Sequence, residues 1–372
     1  MMLAGAAACC QHQPAGGRLP TPTGSVGTGL VADLRKSGFQ VNPGYVELYT
    51  QKECTDYTYP VLKNCLANNP AAPYVAPIVK TWPDEYVDPA AVNAFGKVPS
   101  GYTGTYRLDP RDAIVVYGEM PPPGRYMSLQ TWEFSQNGRW SADTYAKWEK
   151  TADRPVPMQY LFDTIPPGSP RSGRTQSVSA LGDTVNNVVM ERHAGYSFGK
   201  NRYFIVTPSA TTDHEVRQSL QAQGVPSSDI FTEQIPSSDP HGPIGPLGMA
   251  SDAIDFVSAF RYAVPDAGQE AAAAEWRAHP PLKVLRLRAP ESLGPVQRYG
   301  ALTFGPRTAT SEAYLSGDLN NLLDAVCCRS RTAWGPCHSD ECSVGVAGRC
   351  SVSGWKVRGR QSGSACPPAP VT

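Results

Sequence analysis

Proline and glycine punctuate this sequence at a density that rules out long helices. There are 36 Pro and 34 Gly in 372 residues, close to one residue in five against about 12% in ordinary chains. Proline removes a backbone donor and glycine adds backbone entropy, so helical bundles, coiled coils and long helical repeats are disfavoured. Hydrophobic residues still make up 41%, which suffices for a core and argues against wholesale disorder. Charge is balanced, 33 Lys+Arg against 33 Asp+Glu. Nucleic-acid binding and electrostatic attachment to a membrane both work through basic excess, so neither is expected. No stretch approaches the roughly 20 apolar residues of a membrane-spanning helix.

Composition divides the chain. Residues 1–24 begin MMLAGAAACC and read as a disordered segment or the remnant of a targeting signal, since a secretory signal needs a basic start and a longer apolar region. Residues 327–372 contain no Leu, Ile, Phe, Met or Tyr yet carry Cys327, Cys328, Cys337, Cys342, Cys350 and Cys366. Such a tail cannot build an ordinary core and reads as disordered or non-native, or else stapled by cross-links or a metal. The body is therefore 25–326. Its best internal break is 165–182, IPPGSPRSGRTQSVSALG, either a linker between domains 25–164 and 183–326 or a surface loop within one domain.

Within the body, residues 30–37 suit a short helix closed by Gly38 in the left-handed position, and GYVELYT (44–50) alternates as a strand. AIVVYGEM (113–120) and RYMSLQTWEF (125–134), joined by PPPG, predict an antiparallel hairpin. Asn137-Gly138 predicts a further turn leading to Trp140, giving three antiparallel strands in succession. TVNNVVMER (184–192) and NRYFIVTP (201–208) predict another strand pair. A helix is expected from the capping region Thr211–Asp213 to about Gln223, closed by Gly224. Ala253, Phe256, Val257, Phe260 and Val264 share a helical stripe, predicting a helix over 251–263. Residues 269–278 suit an exposed helix, LKVLRLR (282–288) a strand, and 311–326 an amphipathic helix. Hairpins first and helices later predict an α+β fold. Its sheet is expected to be largely antiparallel, sandwich- or barrel-like, with peripheral helices.

Several motifs invite a chemical reading. Gly195-Tyr196-Ser197-Phe198-Gly199 matches G-x-S-x-G, in which a serine nucleophile sits on a strained turn between a strand and a helix. Here another strand is expected after it, so a glycine-rich loop is the plainer reading. Glu119 and Glu133 lie on the best-defined strands, but the hairpin register separates them by roughly 23 Å, too far for a glycosidase pair. The same register sets Asp112 opposite Glu133, an arrangement that repels unless a cation or proton intervenes. Trp82, Asp84 and Glu85 in WPDEY, together with Trp132, offer a surface on which a sugar can stack, although Trp in β-rich proteins more often fills the core. Asn186 and Asn187 interrupt an apolar run, so one amide needs buried partners or a ligand. Cys54 and Cys65 are suited to a local disulfide and hence an oxidising compartment, or to a reduced, buried pair. Cys337-His338 with Cys342 and Cys350 lacks zinc-finger spacing, and a phosphate loop and dinucleotide fingerprint are missing, so no metal or cofactor is expected.

GFQVNPGYVELYT, NNPAAPYV, EMPPPGRYMSLQTWEF, GDTVNNVVMER and NRYFIVTP together resemble a group of uncharacterised β-rich proteins of photosynthetic organisms and bacteria that look exported. The likeness covers residues 30–326 and transfers no catalytic motif. It implies a β-rich, exported body, with a cytoplasmic location as the alternative. The expected role is binding of a small molecule or glycan through Trp82, Asp84, Glu85, Trp132 or Asn186. A hydrolase using Ser197, Asp112 or Glu133 is the alternative, and a structural or surface-interaction protein the third reading.

Overall fold

Side-chain alternation organises most of the body. The computed structural model describes residues 25–62, 65–66, 68–89, 91–137, 174–180, 185–239, 242–243 and 245–301, all within the unit Met1–Thr303. Its strands are β1 (Gln40–Tyr49), β2 (Tyr74–Lys80), β3 (Tyr102–Thr103), β4 (Asp112–Glu119), β5 (Gly124–Asn137), β6 (Arg174–Ala180) and β7 (Val185–Asn186). After these come β8 (Asn201–Thr207), β9 (Ile230–Gln234), β10 (Ser238–Asp239), β11 (Gly242–Pro243), β12 (Asp255–Pro265) and β13 (Leu282–Arg288). The helices of at least two turns are α1 (Ser25–Lys36), α2 (Asn187–Ala194), α3 (Ala210–Ala222) and α4 (Glu270–Ala278). Among the described residues no helix is long and apolar enough to cross a membrane.

One sheet runs β6-β5-β12-β2-β1-β13-β4-β8-β9, with β3 added to β2 and β7 to β5. All pairs along it are antiparallel except β8 with β9. The sheet curls into a nearly closed barrel, as its core shows. Residues from β2, β4, β5, β8, β9, β12 and β13 meet in one apolar cluster that includes Val79, Ile114, Leu129, Phe204, Phe231, Phe260 and Val284. Strands so far apart in the sheet can share a cluster only on its enclosed face. The alternate residues face outward: Val115, Ile205 and Leu287 pack under α1 and α3. Tyr49, Ile78, Phe134 and Val257 pack around Cys54 and Phe95. The fold is α+β with a largely antiparallel, barrel-like sheet, as expected.

Several local expectations fail, each for a physical reason. β4 and β5 do not pair: β4 lies between β13 and β8, and β5 between β12 and the short strands β6 and β7. Three consecutive prolines hold φ near −65° and extend the chain, whereas tight hairpins need positive φ. Asp112 therefore does not oppose Glu133. Residues 251–263 are not helical; most of them belong to β12. Both faces of β12 are buried, Phe256 and Phe260 inward and Val257 outward, and a continuous apolar run of this kind satisfies both periods. The run 184–192 makes only two residues of strand before α2 begins, because the Asn186 side chain caps Val189 N at 3.0 Å. Arg174–Ala180 lies inside the stretch read as loop or linker, yet pairs with β5; an edge strand needs backbone partners more than apolar side chains. Strands from 25–164 and 183–326 interleave in the one sheet.

Elsewhere the expectations stand. α1 is followed by Gly38 at φ 85°, β1, β8 and β13 are strands, and α3 and α4 are helices, although Ser209 and not Thr211–Asp213 caps α3, and α4 buries Ala273 and Trp276 against the core. The segment 1–24, Gly138 and Trp140, the helix 311–326 and the tail 327–372 lie outside the described residues. Two glycines mark close backbone approaches. A Cβ at Gly44 would collide with the Ile78 carbonyl oxygen, and one at Gly118 (φ 152°) with that of Pro281.

Candidate functional site

At the end of the barrel where β4 begins and β13 ends, alternation points charge inward. Leu282 and Val284 of β13 line the enclosed face, so Arg286 and Arg288 follow them onto it. The side chains of Arg286 and Glu85 are both completely buried, with Arg286 Nη1 2.5 Å from Glu85 Oε2 and Nη2 3.1 Å from Oε1. Glu85 also accepts from the backbone N–H of Trp82 at 3.0 Å and of Arg107 at 2.8 Å. Arg286 in turn donates to the carbonyls of Lys80 and Arg107. A buried ion pair repays its desolvation only when its remaining donors and acceptors are satisfied; here Arg286 Nε alone of the guanidinium nitrogens lacks a partner among the described residues.

Asp112 forms the second half of the cluster. Its carboxylate takes Arg288 Nε at 2.7 Å, Arg288 Nη2 at 3.2 Å and the Trp82 indole N–H at 2.9 Å. Burial raises the Asp112 pKa, opposed by the Arg288 hydrogen bonds and the charge of Arg286. On Arg288 burial pulls downward, but the bond and charge of Asp112 prevail and raise its pKa. The guanidinium carbons of Arg286 and Arg288 lie 5.2 and 4.6 Å from the centre of the Trp82 ring. Trp82 is only 3% exposed, and so offers no open face for a sugar.

A second buried polar group continues from this cluster through Tyr106. Its hydroxyl lies 2.6 Å from Ser258 Oγ, which lies 2.6 Å from Thr131 Oγ1. Thr131 then donates its hydroxyl to Glu233 Oε2 at 2.8 Å and its backbone N–H to Oε1 at 2.6 Å. Burial raises the Glu233 carboxyl to about 7, against the lowering effect of the Thr131 bonds. The Tyr106 phenol is likewise pushed upward by burial.

Beside Arg288 the surface opens into a cleft of about 380 Å³, within the size range of small-molecule sites. Its walls are Gly38 from the turn after α1, Gln40 from the start of β1, Asp109 and Arg111 from the loop ahead of β4, and Arg288 with the following Ala289, Pro290 and Glu291. Arg111 is held in place by the carbonyls of Pro290 at 3.0 Å and Gly294 at 2.8 Å, while Asp109 Oδ1 takes its backbone N–H at 2.9 Å. Among the described residues the acceptors of the Arg111 guanidinium are thus neutral carbonyls, which hold it without cancelling its charge.

The structure brings together Trp82, Glu85 and Asp112, and sets Asp84 on the rim, 3.5 Å from Arg288 Nη1. The other expected site residues lie elsewhere. Glu133 sits on β5 in register with Phe256 and Ser179. Trp132 packs edge-on to Tyr74 at 6.3 Å on the outer face, and Asn186 is spent on its cap. Ser197 follows α2 and precedes β8, the reverse of the strand-to-helix order its motif requires, and its buried hydroxyl donates to Gly195 O at 3.3 Å. Gly199 N bonds Pro121 O at 2.8 Å, so Ser197 belongs to the far end of the eight-residue β4 from Asp112, roughly 26 Å at strand rise. Cys54 and Cys65 are joined as a disulfide, with Cα atoms 5.4 Å apart. Among the described residues no group of three or more His, Cys, Asp or Glu forms a metal site.

Sequence reasoning missed Arg107, Arg111, Arg286, Arg288 and Glu233. A signal existed for the strand residues. LKVLRLR puts Arg286 and Arg288 on the same face as Leu282 and Val284, and IFTEQ puts Glu233 on the face of Phe231. Compared with known protein families, curated proteins and solved structures, the chain matches none of them.

Proposed function

We propose that this protein binds a small polar molecule in the cleft beside Arg288, with Arg111 and Arg288 as the recognising groups. The observation that carries this reading is the pairing of two pre-positioned guanidiniums in an open cleft: Arg288 is oriented by buried Asp112, and Arg111 is anchored by neutral carbonyls. With Arg288 Nε and Nη2 on Asp112 and Arg111 Nη1 and Nη2 on carbonyls, the remaining N–H groups of the two guanidiniums are the donors left for the oxygens of a carboxylate or phosphate. Asp109 and Glu291 on the same walls accept hydrogen bonds from hydroxyl or amino groups. The ligand this chemistry suits is a small molecule with one oxyanion and neighbouring donors, held by hydrogen bonds instead of aromatic stacking.

A binding role is favoured over hydrolysis because Ser197 and Asp112 belong to opposite ends of β4, and Asp112 is committed to Arg288. The Cys54–Cys65 bond supports an oxidising, exported setting. Thermal unfolding against a panel of small carboxylates, phosphate esters and neutral sugars tests the reading. At a hundredfold excess over Kd a bound ligand adds about 2.7 kcal/mol. We expect stabilisation by oxyanion-bearing members, lost in Arg111→Ala. Stabilisation that persists in Arg111→Ala, or a panel without effect on the native chain, would remove the proposal.

A further inference from the structure

The barrel has a seam. β9 ends the sheet on one side, and β5, with its short partners β6 and β7, approaches it from the other. On β5, β7 pairs with Ser128 and Leu129, while β6 pairs from Trp132 onward. Thr131 falls in the gap between them. Its backbone N–H ends on Glu233 Oε1 at 2.6 Å and its hydroxyl on Oε2 at 2.8 Å. A side chain of β9 thus stands in for a strand across the seam.

We propose that Glu233 is a proton-operated latch: the seam is held closed by the neutral acid and is loosened when the carboxyl ionises. In the neutral form, Oε1 still accepts from Thr131 N, and the acid proton is donated to Thr131 Oγ1. The Thr131 and Ser258 hydroxyls then turn to donate toward Tyr106. In the ionised form the chain reverses, so that Tyr106, Ser258 and Thr131 donate in sequence toward Glu233. Hydrogen bonds survive either way, but only the ionised form leaves a charge at a site 7% exposed.

Among the described residues no cation acts on the Glu233 carboxyl to compensate that charge. β5 presents Thr131 and, two residues on, Glu133; β12 presents Ser258; and β8 presents Val206, the register partner of Glu233. Tyr106 lies beyond the hydroxyls, and the charge of Arg286 acts on it. His193 of α2 packs edge-on to Phe231, ring centres 6.5 Å apart. Burial accordingly raises the Glu233 carboxyl from 4.5 to about 7. A raised folded-state value means that stabilisation is fully present below 4.5 and is lost as pH rises through 7.

Hydrogen exchange at the Thr131 amide in the full chain, corrected for the intrinsic rate, tests this. Opening should increase roughly 40-fold between pH 5 and 7 and level off above pH 8. Glu233→Gln, a neutral isostere of the acid, should flatten the profile. A flat profile in the native chain, or the same rise in Glu233→Gln, would overturn the proposal. Should that variant fail to fold, carbon-13 titration of the Glu233 carboxyl in the native chain decides. A midpoint near 7 supports the latch, and a midpoint below 5 refutes it.

Discussion

Removing Glu85 should cost as much stability as truncating a large buried apolar side chain of this fold. Its carboxylate, completely buried, takes both Nη groups of Arg286 and the backbone N–H groups of Trp82 and Arg107. Glu85→Ala leaves Arg286 buried with Asp112, 3.9 Å away, as its nearest remaining carboxylate, and strands the two N–H groups. Breaking a buried pair from one side costs about 3–5 kcal/mol, a large share of the ~5–15 kcal/mol that holds a domain together. At about 2–4 °C per kcal/mol, the midpoint of thermal unfolding should drop on the order of 10 °C. The diagnostic measurement is the double variant Glu85→Leu with Arg286→Met. Each single change leaves an uncompensated charge and the pair together leaves none, so the double loss should fall short of the sum by about 2 kcal/mol or more. Urea unfolding of the four proteins gives this coupling. Strict additivity, or a loss below about 1 kcal/mol in Glu85→Ala, would refute the idea that this pair is a closed, mutually dependent unit.

Other consequences are simpler to check. Reduction of Cys54–Cys65, separated by 11 residues, should cost about 3 kcal/mol by loop-closure entropy, read as a lower melting temperature in dithiothreitol that Cys54→Ser with Cys65→Ser reproduces. Gly118→Ala should destabilise by several times the ~1 kcal/mol of an ordinary substitution, measured by urea unfolding, because its Cβ meets the Pro281 carbonyl at a φ that L residues rarely adopt. Ser197→Ala should cost about 1 kcal/mol or less, as its hydroxyl makes one long local bond. The native chain should resist fluorophosphonate labelling, and labelling that Ser197→Ala abolishes would restore the nucleophile.

How much of this was legible in the sequence depended on whether a signal was local. The α+β character, β1, β8, β13 and the closing Gly38 follow from alternation and from glycine chemistry. β12 was not legible, because Phe256, Val257 and Phe260 are buried on both faces of the strand and fit either period. Nor was strand pairing: the proximity of β4 and β5 in sequence suggested a hairpin, but partners were decided by closure of the sheet, which no local pattern encodes. At the site, Trp82, Glu85 and Asp112 stood out as polar or aromatic residues in unusual company. The arginines that bind them are some 180 to 200 positions away, beyond the reach of any motif. Arg111 is on a half-buried loop and in the sequence resembles any surface arginine until Pro290 and Gly294 are seen to hold it.

The central claim, that the cleft beside Arg288 takes a small oxyanion-bearing ligand, is tested most directly by a crystal of the native chain soaked with the strongest stabiliser from the panel. The account predicts the ligand between Arg111 and Arg288, its oxyanion within about 3 Å of both guanidiniums. A ligand seated elsewhere, or a cleft left empty under saturating conditions, would contradict it.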